Sequence, residues 1–308
     1  MKIPNTLLSP EITRALDMGL PIVALESTVI THGLPIPQNM ELAREMESRV
    51  REQGVVPATV ALLDGKIRVG INDAELERLA NAKDPVKVSR RDFARAIVKK
   101  LDGGTTVAGT MLAATQAGIR VFATGGIGGV HREGNMDIST DLQALSDTPM
   151  IVVCAGAKSI LDLPATLEYL ETMAVPVVGY GTDEFPAFFS HQSGLDVSVH
   201  LDSPEEIVEF ARAHWDLGLK SAILVTNPIP EEYSLADEDI NPIIAQASKD
   251  AQERGIHGQA LTPFLLARIN QLSKGRSLRS NLVLLHNNAT LAAKIAKIMT
   301  KGQGSKNI

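Results

Sequence analysis

Short apolar runs recur along this chain, each followed by a longer stretch whose apolar positions repeat at helical spacing. That alternation constrains the fold more than any other feature, because it is the pattern of an α/β protein. The runs Pro21 to Leu25, Ala58 to Leu63, Ile67 to Gly70, Arg120 to Thr124, Met150 to Ala155, Val175 to Tyr180, Ser221 to Thr226 and Leu282 to His286 read as strands. Most are β-branched and apolar on both faces, so the sheet they form is expected to be covered on both sides. Aromatic residues make up only 4% of the chain, which leaves Ala, Val, Ile and Leu to fill the core.

Between the runs, Asn39 to Gln53 presents Leu42, Ala43, Met46 and Val50 on one helical face and stops at Gly54. Ser89 followed by Asp92 is a capping-box start for a helix carrying Phe93, Ala94, Ile97 and Val98. Further helices are predicted over Pro164 to Thr172, Glu205 to Leu217, Asn241 to Arg254, Pro263 to Leu272 and Asn288 to Met299. Neither a repeat nor a linker divides the chain. A single α/β domain over residues 1–300 is expected, with a polar tail over 301–308.

A net charge of −6 argues against a nucleic-acid binder, which concentrates basic charge on one face. The single cysteine, Cys154, excludes an internal disulfide and suits a reducing compartment. The apolar runs fall well short of the ~20 residues of a membrane helix, and no stretch has the order of a signal peptide. A cytoplasmic protein that does not engage membranes is expected.

Polar residues at the ends of apolar strands mark where chemistry is to be sought. Glu26 directly follows Val23-Ala24-Leu25, with His32 just beyond. Partial desolvation there would raise its pKa and suit a general acid, although a surface or helix-capping role is equally compatible with position. Lys87 precedes the Ser89 helix start, where an amine and free backbone N–H groups can share an anion. Ordinary capping with a solvated basic turn is the alternative.

Gly103 to Thr110 and Thr124 to His131 read as two glycine-rich turns able to cradle phosphate. The second fails the dinucleotide fingerprint, since His131 stands where a third glycine belongs. In Asn135 to Asp141, the carboxylates of Asp137 and Asp141 could hold a hard divalent cation, or Ser139 to Asp141 could simply begin a helix. Lys158 is delivered from an apolar strand through Ala155-Gly156-Ala157, which makes it a candidate nucleophilic amine or a lysine snorkelling from a helix start.

Together these segments resemble the pseudouridine-5′-phosphate glycosidase family. The strings are Val23 to Gly33, Pro57 to Ala61, Lys87 to Asp92, Val121 to Arg132, Asp137 to Leu142, Val153 to Asp162, Asn227 to Glu231, Thr262 to Leu266, Ser280-Asn281 and His286 to Ala289. The loop between His131 and Asp137 looks shorter than in some members. The resemblance implies reversible cleavage of the carbon–carbon glycosidic bond of pseudouridine 5′-phosphate to uracil and ribose 5-phosphate. It implies a three-layer α/β/α fold on a mixed sheet, a homotrimer and one Mn²⁺ per subunit. By the same resemblance Lys158 is the covalent lysine, Glu26 the proton donor, Lys87 a substrate-binding lysine and Asp137 the manganese ligand. Ser139, Thr140 and Asp141 would contact substrate, and Val107, Thr124, His131 and Asn281 would line the ligand site. The same lysine, acid and phosphate clamp would also serve another Schiff-base lyase or aldolase acting on a sugar phosphate, or an inactive phosphosugar-binding module.

Overall fold

The computed structural model describes residues 4–132 and 137–301. Thirteen strands occur among them: β1 (Thr6–Leu8), β2 (Ile22–Leu25), β3 (Val56–Leu63), β4 (Lys66–Val69), β5 (Val86–Val88), β6 (Gly103–Thr105) and β7 (Val121–Ala123), then β8 (Val130–His131), β9 (Ile151–Cys154), β10 (Leu161–Asp162), β11 (Val177–Tyr180), β12 (Val199–Leu201) and β13 (Ile223–Thr226). The main sheet runs β1-β4-β3-β2-β7-β9-β13-β11-β12, with β6 paired to β3 and β5 paired to β6. Only the pairings of β3 with β4 and with β6 are antiparallel, so the sheet is mixed but mostly parallel. A separate two-stranded antiparallel ribbon joins β8 to β10.

The central strands β2, β7, β9 and β13 are buried at every residue. A parallel strand covered on both faces has no solvent side, which explains why these segments read as unbroken apolar runs. The helix Arg276–Lys301 lies across β2, β7 and β9, while the helix Val107–Gln116 packs on β2, β3 and β4. The larger of two apolar clusters among the described residues therefore extends from Ile12 to Ala296, and a smaller one gathers Ile30, Leu63 and Leu79.

The expected strands from Pro21 through Thr226 are present within a few residues. The expected strand Leu282 to His286 is not: it lies inside the helix Arg276–Lys301. Its Leu284 and Leu285 belong to a buried face continued by Asn288, Leu291, Ala292 and Ile295, a helical spacing invisible in a five-residue window. The helix predicted from Asn241 starts at Asp237 and tolerates Pro242 within it, with Asp237, Glu238 and Asp239 complementing the dipole of its first turn. The first of the two expected glycine turns is also different. Gly103–Thr105 is strand β6, and Thr106 caps a helix beginning at Val107. Ser89 and Asp92 do form the expected capping box, which opens a short 3-10 turn leading into the helix Phe93–Val98. The tail from residue 302 onward lies outside the described residues, as do residues 133–136 of the loop after His131.

Candidate active site

Because β2, β7, β9 and β13 are parallel, the polar residues that follow them gather at one edge of the sheet. Glu26 follows β2, the Gly125–Gly128 turn follows β7, and Lys158 follows β9. They line a cavity of about 290 Å³. Lys87 enters from β5, and Val107 from the start of its helix. His131, Asp137, Ser139, Thr140, Asp141 and Asn281 complete the group of expected residues that reach this cavity.

Glu26 is half-buried, and desolvation by the surrounding protein raises its pKa above the ordinary carboxylate value. The charges of Lys158 and Lys87 and a hydrogen bond from the Thr124 hydroxyl favour the ionised form, while Asp141 opposes it. Desolvation is the largest effect, so the carboxyl group holds its proton to higher pH than an exposed glutamate. Thr124 is fully buried and does not line the cavity. Its hydroxyl donates to Glu26, so it acts through that side chain.

Lys158 is half-buried, and its Nζ donates to the carbonyl of Gly126 at 2.8 Å. The backbone around it is tied to the glycine turn by Lys158 N–H to Ile127 O at 3.1 Å and Ile127 N–H to Gly156 O at 3.1 Å. The lysine and its resting acceptor thus belong to one rigid loop pair. Cys154, at the end of β9, is fully buried and its thiol is pushed up to about 12 by burial. It is a packing residue rather than a nucleophile.

Lys87 is half-buried and its amine pKa is lowered, first by burial and then by the charge of Lys158. Asp141, Glu26 and Asp137 act in the opposite direction. The amines of Lys87 and Lys158 and the guanidinium of Arg91 thus share one cavity with the carboxyl groups of Glu26, Asp92, Asp137 and Asp141, a cluster of mixed charge of the kind found at reacting centres.

Asp141 has a role its sequence position does not reveal. It is 5% exposed, and its two carboxylate oxygens accept from Ala108 N–H at 2.9 Å and Gly128 N–H at 2.9 Å. It pins the first turn of the helix Val107–Gln116 to the glycine turn after β7. Ser139 caps the helix Thr140–Asp147, accepting from Asp141 N–H at 3.2 Å, so these residues do start a helix. Thr140 is exposed and shares a hydrogen bond of 2.7 Å with Ser89.

Both carboxylate oxygens of Asp141 are thus engaged by backbone N–H groups. Asp137 is exposed at the cavity, and no hydrogen bond among the described residues occupies its carboxylate. Nor, among the described residues, does any group of three His, Cys, Asp or Glu side chains converge as an ion cage. This donor set fits a hard ion held by one carboxylate with water as its remaining ligands.

Several cavity residues went unassigned in the sequence, His32 and Phe188 among them. His32, in the turn Val29–Gly33, bonds through Nδ1 to the Thr31 hydroxyl at 2.6 Å, and its pKa is lowered by burial and by Lys87. Its place shortly after Glu26 was a usable signal. Phe188 gave none: it is held at φ +66°, is 2% exposed, and its ring packs edge-on against Phe189. A β-carbon built on Gly126 would lie 2.6 Å from the Phe188 ring, so only glycine fits beneath it.

Residues 11–298 match the family described as Indigoidine synthase A like protein. A pseudouridine-5′-phosphate glycosidase from Caldanaerobacter subterraneus subsp. tengcongensis is 53% identical over 296 residues, covering 96% of each chain. The enzyme of that name from Solibacter usitatus is 54% identical, covering 94% of this chain and 97% of its own. Among solved structures, the prealnumycin C-glycosynthase AlnA in complex with ribulose 5-phosphate superposes with a TM-score of 0.91 at 38% identity. The match covers 99% of this chain and 100% of that one.

Proposed function

This chain belongs to the Indigoidine synthase A like family and, within it, to the pseudouridine-5′-phosphate glycosidases, and from that premise we propose how its residues divide the reaction. The reaction is the reversible cleavage of pseudouridine 5′-phosphate to uracil and ribose 5-phosphate. The observation that carries the reading is the presence, in one cavity, of the Glu26 carboxyl group, whose pKa burial raises, and the amine of Lys158.

The chemistry requires both. The base leaves through carbon, so direct departure from an oxocarbenium ion faces a poor leaving group, and two carboxylates alone would not suffice. Glu26 protonates the ribose ring oxygen as the neutral Lys158 amine attacks C1′; the C1′–O bond breaks and the ring opens. The adduct nitrogen then returns its extra proton to the Glu26 carboxylate. Its lone pair forms C1′=N as the C1′–C5 bond breaks and C5 takes up a proton, releasing uracil. Water hydrolyses the resulting imine to ribose 5-phosphate and free lysine.

Lys87, His131 and the glycine turn hold the phosphate, whose binding energy orients the reacting atoms from a distance. Binding of a phosphosugar accords with the ribulose 5-phosphate in the AlnA complex. Val107, Ser139, Thr140 and Asn281 shape the rest of the cavity. Asp137 would hold a Mn²⁺ that organises water and contacts to the base. A homotrimer working in the cytoplasm completes the reading; no described helix is long and apolar enough to cross a membrane.

Incubation with pseudouridine 5′-phosphate and Mn²⁺ should release free uracil. Absence of uracil from a folded protein that still binds ribose 5-phosphate would overturn the reading in favour of another Schiff-base lyase. Borohydride reduction in the presence of ribose 5-phosphate should leave a stable adduct on the wild type and none on Lys158→Ala. Equal labelling of the two would remove Lys158 from the mechanism.

A further inference from the structure

Two strings singled out in the sequence, Asn227 to Glu231 and His286 to Ala289, have no part in the chemistry above. In the structure they meet directly beneath it. Asn288 is fully buried on the helix Arg276–Lys301, seven residues beyond Asn281 and therefore on the same face. Its Nδ2 donates to the carbonyl of Thr124 at 2.9 Å and more weakly to that of Gly125 at 3.4 Å. Its Oδ1 accepts from Asn227 Nδ2 at 3.0 Å. Asn227 follows β13, is 5% exposed, and its own N–H donates to Cys154 O at 2.8 Å, at the end of β9. Next to it, Asn287 Nδ2 donates to Pro228 O at 3.2 Å.

The carbonyls that Asn288 holds belong to the turn on which both reacting side chains depend. Thr124 donates its hydroxyl to Glu26, and Gly126, two residues on, accepts from the Lys158 amine. We infer that Asn288, braced by Asn227, is a positioning residue that fixes this single turn and through it the relative placement of acid and nucleophile. The inference rests on the proposed roles of Glu26 and Lys158. A buried amide suits this task because it donates to a carbonyl on one side and accepts an amide on the other, with no charge to desolvate. A carboxylate there would face carbonyl oxygens, and an apolar side chain would leave them without the donor.

The test uses Asn288→Leu and Asn227→Ala in the full-length protein. Three quantities are read for each: kcat and KM for pseudouridine 5′-phosphate, the pH profile of kcat, and the rate of borohydride trapping with ribose 5-phosphate. For Asn288→Leu the expectation is a kcat about ten- to a hundredfold lower with a smaller rise in KM, since the turn that places the reacting groups also contributes to holding the phosphate. Loss of the Thr124 hydrogen bond removes an influence that lowers the Glu26 pKa, so the alkaline limb of kcat should move to higher pH. Asn227→Ala keeps the bonds to the turn but removes their brace, and should show smaller changes in the same directions. If Asn288→Leu fails to fold, Asn227→Ala decides alone.

Folded variants with wild-type kcat, an unmoved alkaline limb and wild-type trapping rates would overturn the inference. If the wild type releases no uracil, the proposed reaction fails, yet trapping at Lys158 still tests the placement of the lysine.

Discussion

Glu26 follows four fully buried strand residues, and burial raises its pKa, so the property that suits it to donate a proton also opposes folding once it ionises. A group whose folded pKa is raised contributes stability in full below the unfolded carboxylate value and loses it as pH rises through the folded pKa. Glutamine keeps an acceptor for Thr124 and has no proton to lose. Glu26→Gln should therefore melt with the wild type near pH 4 but a few degrees above it at pH 8. Its kcat should fall by about 10² to 10⁴, the range of a lost general acid. Thermal melts of both proteins across pH, run beside the uracil assay, check both; a variant whose advantage over the wild type is no larger at pH 8 than at pH 4 would refute the buried-acid account. Position after an apolar strand was enough to suggest this residue. That Thr124 serves it from behind, outside the cavity, was not legible, because the contact joins residues 98 apart in sequence.

At the scale of elements, the glycine turn after β7 is the part on which most of the site converges. Asp141 ties its Gly128 N–H to the helix Val107–Gln116, and Asn288 ties its Thr124 carbonyl to the helix Arg276–Lys301. A β-carbon on Gly128 would lie 2.2 Å from Ser139 Oγ and 2.8 Å from Asp141 Oδ2. Gly128→Ala must displace a helix cap and a buried carboxylate together, at a cost of about 1–3 kcal/mol. Urea unfolding should show a lower midpoint with unchanged slope, and KM for the phosphorylated substrate should rise. The sequence marked this turn by its glycines but suggested phosphate binding as their whole purpose. Close approach of Ser139 and the Phe188 ring requires Gly128 and Gly126 for steric reasons that only the packed loops reveal. The opposite error occurred at Gly103-Gly104-Thr105, where small residues were read as a turn and form strand β6 instead.

For the whole molecule, the helix Arg276–Lys301 covers the centre of the sheet. It buries Leu284, Leu285, Leu291 and Ile295 while lying over β2, β7 and β9. At about 1.5–3 kcal/mol for each fully buried aliphatic side chain, those four are worth about 6–12 kcal/mol. That is comparable with the 5–15 kcal/mol by which folded domains are stable at all. A chain ending at Gly275 should keep far-ultraviolet dichroism but lose its near-ultraviolet signal and bind ANS; native near-ultraviolet dichroism from that truncation would show that the helix is dispensable.

The sequence by itself determined the α/β class, the strands buried on both faces and which side chains could carry chemistry. Strand burial and residue type are local properties that alternate with helical periodicity along the chain. Only the tertiary structure decided that Leu282 to His286 is helical, that Asp141 accepts from two backbone N–H groups, and that Asn227 and Asn288 are bonded to each other and to the Thr124 carbonyl. Each of these depends on which strand ends and helix faces become neighbours. That is settled by packing over separations of tens to hundreds of residues, where short-range pattern carries no information.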